Sequence, residues 1–342
     1  MSKILICTGI YPPRIGGPAQ YAKEIKEEFE RRGNSVSVLT YGLERRLPIL
    51  IRHELFFWKT FFKIITFGKD DFIIALDTAS VGWPAALAAK ILRKKIIIRI
   101  GGDFLWESYI ERTGDLVPLR NFYPEKSGLL NQKERLIFRI TRWTLKNVHA
   151  LVFSTHWQKE IFEKAYGLDS SKNFVVENFY GPKNHASEPE GKIFLSGGRP
   201  IKLKNNARLI TAFAEAQKVD PTIALSIEEI PYSQFIEKLK SSYAVILTSI
   251  SDISPNLILE AVRFNKPFIT TKETGIYERL KDVGLFINPE DTKDITEKIL
   301  FLADRKNYEA QKQKIESFTF EHTWAHICNE LLAIAKNTHE SH

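Results

Sequence analysis

The sequence predicts an α/β protein built as two halves. Apolar, β-branched runs of four to six residues alternate with segments of helical periodicity along the whole 342-residue chain. Several of these runs end in short turns carrying Gly or Asp. A polar connector at 181–191, with Pro182 and Pro189, separates two stretches that share the alternation.

Composition is that of a folded globular chain, with 44% hydrophobic and 26% charged residues. The apolar run near Met1 is too short for a signal peptide, and no uninterrupted apolar stretch is long enough to span a bilayer. The expected location is the cytoplasm. Cys7 and Cys328 lie far apart without metal-ligand spacing, so neither a disulfide framework nor a zinc site is expected. Charge is uneven: residues 1–180 hold 28 Lys and Arg against 19 Asp and Glu, whereas residues 181–342 hold 21 against 22. The first half should therefore attract an anionic partner, whether a phospholipid surface, a lipid-phosphate acceptor or an anionic glycan. Nucleic acid is disfavoured because no binding motif accompanies the charge.

Lys3–Cys7 reads as a buried strand, and residues 8–20 as a loop with Gly9, Gly16 and Gly17. The helix that follows has Tyr21, Ile25 and Phe29 on one face and stops at Gly33 before the strand Val36–Leu39. A glycine-bearing loop opening a helix can receive an anion on its backbone N–H groups. G-x-G-x-x-G is absent, so a dinucleotide fingerprint is unsupported. Residues 47–66 mix bulky apolar and charged side chains. Two readings stand, a membrane-surface helix and a core helix before the strand Phe72–Ala75; both hold if only one face meets the core.

A small-residue helix at Ala85–Leu92 leads to the strand Lys95–Ile100 and the turn Gly101-Gly102-Asp103, which should face a ligand. Asp103 is either a polar contact or a helix N-cap. Ala150–Ser154 and Phe174–Asn178 frame a further helix from Trp157. Beyond the connector come the strand Lys192–Leu195, a loop with Arg199 and Lys204, and a helix with Leu209, Ile210 and Phe213 on one face. Tyr243–Leu247 is the next strand. It is followed by Asp252 in a loop, by Ser254 and Pro255 as cap and start of a helix, and by Glu260 amid Leu257, Ile258, Leu259, Ala261 and Val262. A carboxylate in so apolar a helix needs a partner, since an unpaired buried charge costs several kcal/mol. Arg263 is the bland candidate. Strands at Phe268–Thr271 and Leu285–Ile287 and a last helix past Trp324 complete the order.

Asp252, the Pro255-Asn256 loop and the Leu257-x-x-Glu260-Ala261 helix, with Gly198-Arg199 and Lys204 before them, resemble the donor motif of family-four retaining glycosyltransferases of the GT-B fold. The resemblance extends over nearly the whole chain. It implies two Rossmann-like domains facing across a cleft, an acceptor-side domain at 1–183 and a nucleotide-sugar domain at 184–320. A C-terminal helix and tail at 321–342 would cross back to the first domain. It also implies transfer of a sugar from a nucleotide-diphosphate sugar to a glycan or lipid-linked acceptor, with retention and without metal or other cofactor. Polysaccharide biosynthesis and peripheral contact with an anionic membrane belong to that picture.

Carried over residue by residue, Arg199 and Lys204 would stabilise the leaving diphosphate. Asp252, Ile253, Ser254, Pro255, Asn256 and Leu257 would hold the sugar through one carboxylate and loop amides, and Glu260 would hold the ribose. Gly16 and Gly17 would let the donor phosphates and acceptor approach the backbone. The family commonly has a histidine where this chain has Gly101, and a glutamate where it has Asp252; Asp103 and Glu107 would supply a polar contact at the reacting sugar instead. Those departures keep open a non-catalytic alternative, a nucleotide-sugar sensor or assembly partner. A sugar phosphorylase or epimerase on the same fold would need a phosphate pocket or second carboxylate array that the sequence does not display.

Overall fold

The computed structural model describes residues 1–14, 16–197 and 200–337. Two compact units account for them, one of Met1–Leu105, Leu129–Asn178 and the chain from His322 on, the other of Trp106–Gly128 and Phe179–Glu321.

The chain begins with β1 (Lys3–Cys7), α1 (Gly17–Arg31), β2 (Ser35–Leu39), α2 (Ile49–Ile64), β3 (Phe72–Ala75), α3 (Gly82–Ile91) and β4 (Lys95–Ile100). Next are α4 (Phe104–Thr113) and α5 (Leu119–Lys126), of which all but the first two residues of α4 belong to the second unit. The first unit resumes with α6 (Gln132–Lys146), β5 (Ala150–Phe153), α7 (His156–Tyr166) and β6 (Asn173–Val175). Its six-stranded sheet has the order β2-β1-β3-β4-β5-β6, with every pairing parallel. Strands this apolar are buried on both faces, as parallel sheets require: β3 and β5 are buried at every position. Asn131 and Glu134 form a reciprocal capping box that starts α6.

The second unit holds β7 (Lys192–Gly197), α8 (Asn206–Val219), β8 (Ile223–Glu228), α9 (Tyr232–Ser241), β9 (Ala244–Leu247) and α10 (Asn256–Arg263). It continues through β10 (Phe268–Thr271), α11 (Tyr277–Leu280), β11 (Leu285–Ile287), α12 (Thr292–Ala303) and α13 (Arg305–Glu316). Its five-stranded parallel sheet runs β8-β7-β9-β10-β11. Strand alternation divides its core in two. Ala244 and Ile246 point to one cluster with Phe194, Phe213 and Ile299, while Val245 and Leu247 point to another with Ile258, Val262 and Phe268.

α14 (Trp324–Asn337) packs in the first unit against α1. Trp324 meets Tyr21 edge-on at 5.4 Å, and Arg32 Nη2 donates to the Ala325 carbonyl at 2.8 Å. Two local expectations shift. α10 starts at Asn256, because Pro255 keeps an extended conformation (φ −70°, ψ 107°) and takes the N-cap position itself. On α8 the buried face is Leu209, Ala212, Phe213 and Ala216, and Ile210, one position round the helix from Leu209, is 54% exposed.

Candidate functional site

In both sheets the strand order turns back on itself between the first and third strands of the unit, and ligands of open α/β sheets bind at such switch points, beyond the carboxyl ends of the strands. In the second unit those ends belong to β7 and β9. The loop after β7 carries Lys204 at the end of a 3₁₀ turn, and the loop after β9 carries Asp252.

Several bonds bring these two loops into register. Asn205 sits in the left-handed region (φ 58°), an allowed niche for asparagine, and its buried amide donates to Thr248 O at 3.1 Å and Pro289 O at 2.8 Å. The Ile250 N–H donates to Leu203 O at 3.0 Å. The outcome is an ion pair, Lys204 Nζ to Asp252 Oδ2 at 2.8 Å, with the side chains 20% and 18% exposed. Ser249 Oγ reaches the same carboxylate oxygen at 3.4 Å.

The Asp252 backbone is held as well. Its N–H donates to Glu273 O at 3.0 Å, and its carbonyl accepts from Gly275 N at 3.3 Å, which also donates to Ile253 O at 3.1 Å. Ser251 Oγ accepts from Leu119 N at 3.0 Å, so the segment after α4 buttresses this loop. Ile253 is buried, while Ser254 is partly exposed. At the N-cap of α10 Pro255 supplies no side-chain hydrogen bond. The first turn, with Asn256 and Leu257, is therefore a helix terminus at which backbone dipoles favour negative charge.

Glu260 lies one turn into α10 with a side-chain exposure of 16%. Its Oε1 accepts from the Tyr232 hydroxyl at 2.6 Å. Its Oε2 stands 3.5 Å from Arg263 Nη1, yet it is buried and accepts no hydrogen bond from any of the described residues. Tyr232 thus partners the carboxylate as the apolar surroundings demand, Arg263 adds charge, and one acceptor is left over. Such an acceptor carries a penalty of about 1–3 kcal/mol until a donor reaches it.

In the first unit Gly16 occupies the N-cap of α1 at φ 153°, ψ 155°, a region essentially restricted to glycine, and Gly17 is the first helical residue. A Cβ on Gly16 would lie 2.6 Å from Ile10 Cδ1. Across the switch point, Asp77 after β3 accepts from Ser80 Oγ at 2.7 Å and from Val81 N at 2.9 Å. At the end of β4, Arg99 is buried, its guanidinium 3.9 Å from the Tyr21 ring centre and donating to Asn178 Oδ1 at 2.5 Å. Gly101 O accepts from Gln158 Nε2 at 2.7 Å, and Asp103 is buried just before α4.

The second unit thus brings Lys204, Asp252 and the start of α10 onto the loops at one sheet's switch point. Gly16, Gly17 and Asp103 sit in the first unit, and Arg199 lies outside the described residues. Sequence reasoning missed Tyr232 as the partner of Glu260, Glu273 beside Asp252, and the Arg99 cluster. None of these left a local signal, because each contact joins residues far apart in the sequence. Among the described residues no group of three or more His, Cys, Asp or Glu side chains is placed to hold a metal ion.

The whole chain resembles solved GT-B structures. Sucrose-phosphate synthase from Thermosynechococcus elongatus aligns at TM-score 0.71 and 11% identity, covering 98% of this chain and 99% of that one. The Anabaena protein HepE, solved in complex with UDP-glucose, aligns at TM-score 0.63 and 14% identity over 100% and 99%. A glycosyltransferase from Rickettsia africae aligns at 0.58 and 13% over the same shares. None of the curated proteins matches the sequence. The fold and the family match together define a protein of glycosyltransferase type on the GT-B fold. Residues 15–182 match the family model Glycosyltransferase Family 4, and the chain carries a domain of that family.

Proposed function

We propose that the protein transfers a sugar from a nucleotide-diphosphate sugar to a glycan or lipid-linked acceptor, with retention at the anomeric carbon and without a metal. The observation that carries this reading is the Lys204–Asp252 pair at 2.8 Å on the switch-point loops of the second unit. Cation and carboxylate match the two halves of such a donor. As the glycosidic bond to the β-phosphate breaks, the departing diphosphate gains negative charge, and Lys204, with Arg199 beside it in sequence, would stabilise it where a metal otherwise does.

Asp252 would accept from the sugar hydroxyls, and the backbone N–H groups of Ser254, Asn256 and Leu257 would donate to them, Pro255 having none. The vacant acceptor on Glu260 suits a ribose hydroxyl, which would relieve its unsatisfied state. In the first unit, Gly16 and Gly17 would permit close approach to the backbone, and Asp103 would supply the polar contact at the reacting sugar. Retention follows if the acceptor attacks the face that the diphosphate leaves, with a phosphate oxygen taking the acceptor proton. The acceptor would meet the basic first unit, in keeping with polysaccharide assembly at the cytoplasmic face of a membrane.

A second reading rests on Gly101, which offers no imidazole: the same site would bind a nucleotide sugar without turning it over, as a sensor or assembly partner. Incubation with a panel of nucleotide sugars decides. Saturable binding with slow donor hydrolysis supports the transferase, binding without hydrolysis or transfer supports the sensor, and no binding across the panel sinks both.

A further inference from the structure

α2 buries one face and leaves the opposite face apolar. His53, Phe56, Thr60 and Ile64 are inside, whereas Ile51, Leu55, Trp58, Phe62 and Ile65 are exposed, with Trp58 at 45% and Phe62 at 66%. The inner set follows i, i+3, i+7, i+11 and the outer set i, i+4, i+7, i+11, i+14, so the helix has a buried stripe of mixed polarity and, on the opposite side, an exposed stripe that is wholly apolar. A lone stripe would anchor an ordinary surface helix; the second stripe is left exposed by the described residues. Its side chains are organised: Trp58 stacks on Phe62 at 5.9 Å and meets Phe61 at 5.6 Å and Phe57 at 5.0 Å. A surface patch this apolar marks a contact with something other than water.

Charge indicates what that is. Arg52, Lys59 and Lys63 form a row along one flank of the stripe, and Arg45 and Arg46 precede the helix. Glu44 engages Lys59 at 2.5 Å, and Arg45, Arg46 and Lys63 are exposed. Trp and Phe over a basic margin are the groups that settle at the headgroup boundary of an anionic bilayer. We propose that the outer face of α2 docks the first unit onto an anionic lipid surface, Trp58 and Phe62 entering the headgroup boundary while Arg45, Arg46 and Lys63 meet lipid phosphates. This deepens the membrane part of the proposed function and rests on it. No helix among the described residues is long and apolar enough to cross a membrane, so α2 would lie in the interface.

The test is co-sedimentation of the full chain with vesicles of phosphatidylglycerol and phosphatidylcholine, and with phosphatidylcholine alone, at low and high salt. Expected is binding to the anionic vesicles at low salt, weakened at high salt. The Trp58→Ser/Phe62→Ser variant should bind about tenfold more weakly or worse. Each charge removed by Arg45→Gln or Lys63→Gln should cost about fivefold. Unchanged thermal unfolding of the variants shows that they fold. Absence of binding to anionic vesicles, or equal binding by Trp58→Ser/Phe62→Ser, overturns the proposal. So does a wild-type dimer in light scattering that this variant turns into monomer, since a second copy would then cover the stripe. Nucleoside-diphosphate binding without vesicles should be the same in every variant. If the wild type lacks it while vesicle binding persists, the donor reading fails and the docking surface stands.

Discussion

Lys204 Nζ donates to Asp252 Oδ2 at 2.8 Å, so the cation assigned to the diphosphate and the carboxylate assigned to the sugar are each other's partners before any donor arrives. A diphosphate that recruits Lys204 must share it with Asp252. Lys204→Ala should therefore weaken nucleoside-diphosphate binding by about ten- to a hundredfold, the range of a charge-assisted hydrogen bond. Asp252→Asn should leave diphosphate affinity equal or tighter, because the lysine is released, while the sugar moiety ceases to add affinity. Calorimetry with the diphosphate and the sugar nucleotide checks both, and an unaltered Lys204→Ala affinity rejects the assignment.

Glu260 offers one oxygen to Tyr232 and keeps the other without a donor among the described residues. If a ribose hydroxyl fills that position, Glu260→Gln should lower affinity for a nucleoside diphosphate by about tenfold or more and should barely affect the matching deoxyribose compound. Tyr232→Phe should destabilise the second unit by about 1–2 kcal/mol, since it deprives a partly buried carboxylate of its hydrogen bond. Equal losses for ribo- and deoxyribonucleotides in Glu260→Gln would exclude ribose as the missing donor.

Much of this was legible in the sequence, for identifiable reasons. The strand Lys95–Ile100 coincides with β4 and Phe72–Ala75 with β3, because parallel strands buried on both faces are continuous apolar runs. Glu260 declared itself by being charged on an apolar helix. Its partner did not, since Tyr232 lies on α9, and no local pattern encodes a contact between side chains 28 positions apart. Residues 106–128 are likewise illegible as part of the second unit. They precede the connector in sequence, and only tertiary bonds such as Leu119 N to Ser251 Oγ reveal their allegiance. The segment at 47–66 gave two readings because α2 buries one face in the core and exposes apolar side chains on the other.

Gly16 should not tolerate a side chain. Its φ of 153° with ψ of 155° is a conformation that L-residues avoid, and the added Cβ would press on Ile10. Ile10 can yield, so the backbone sets most of the cost, and Gly16→Ala should lose about 1–3 kcal/mol of unfolding free energy. Gly33→Ala, where nothing lies within 4 Å of an added Cβ and φ is 79°, carries backbone strain without a clash and should cost less. Urea unfolding of the two variants compares them; a larger loss at Gly33 would contradict this ranking.

Lys266 supplies a pH signature for the second unit. It is 3% exposed, and its Nζ donates to Ser187 O at 2.9 Å. Burial lowers its pKa to about 8, with Glu188 opposing the shift and Lys312 adding to it. An unfolded lysine titrates near 10.4. Between about pH 8 and 10.4 the unfolded chain therefore holds more protons at this position than the folded one, and stability from this group rises with pH. Below pH 8 both states are protonated, and the contribution no longer varies. Lys266→Met keeps the apolar stem and removes the titration, so its unfolding free energy should run parallel to wild type from pH 6 to 8. Above pH 8 the wild type should gain on it steadily. Denaturant unfolding of both proteins across that range measures the difference, in which all other titrating groups cancel; curves that stay parallel to pH 10 would show that Lys266 is not depressed.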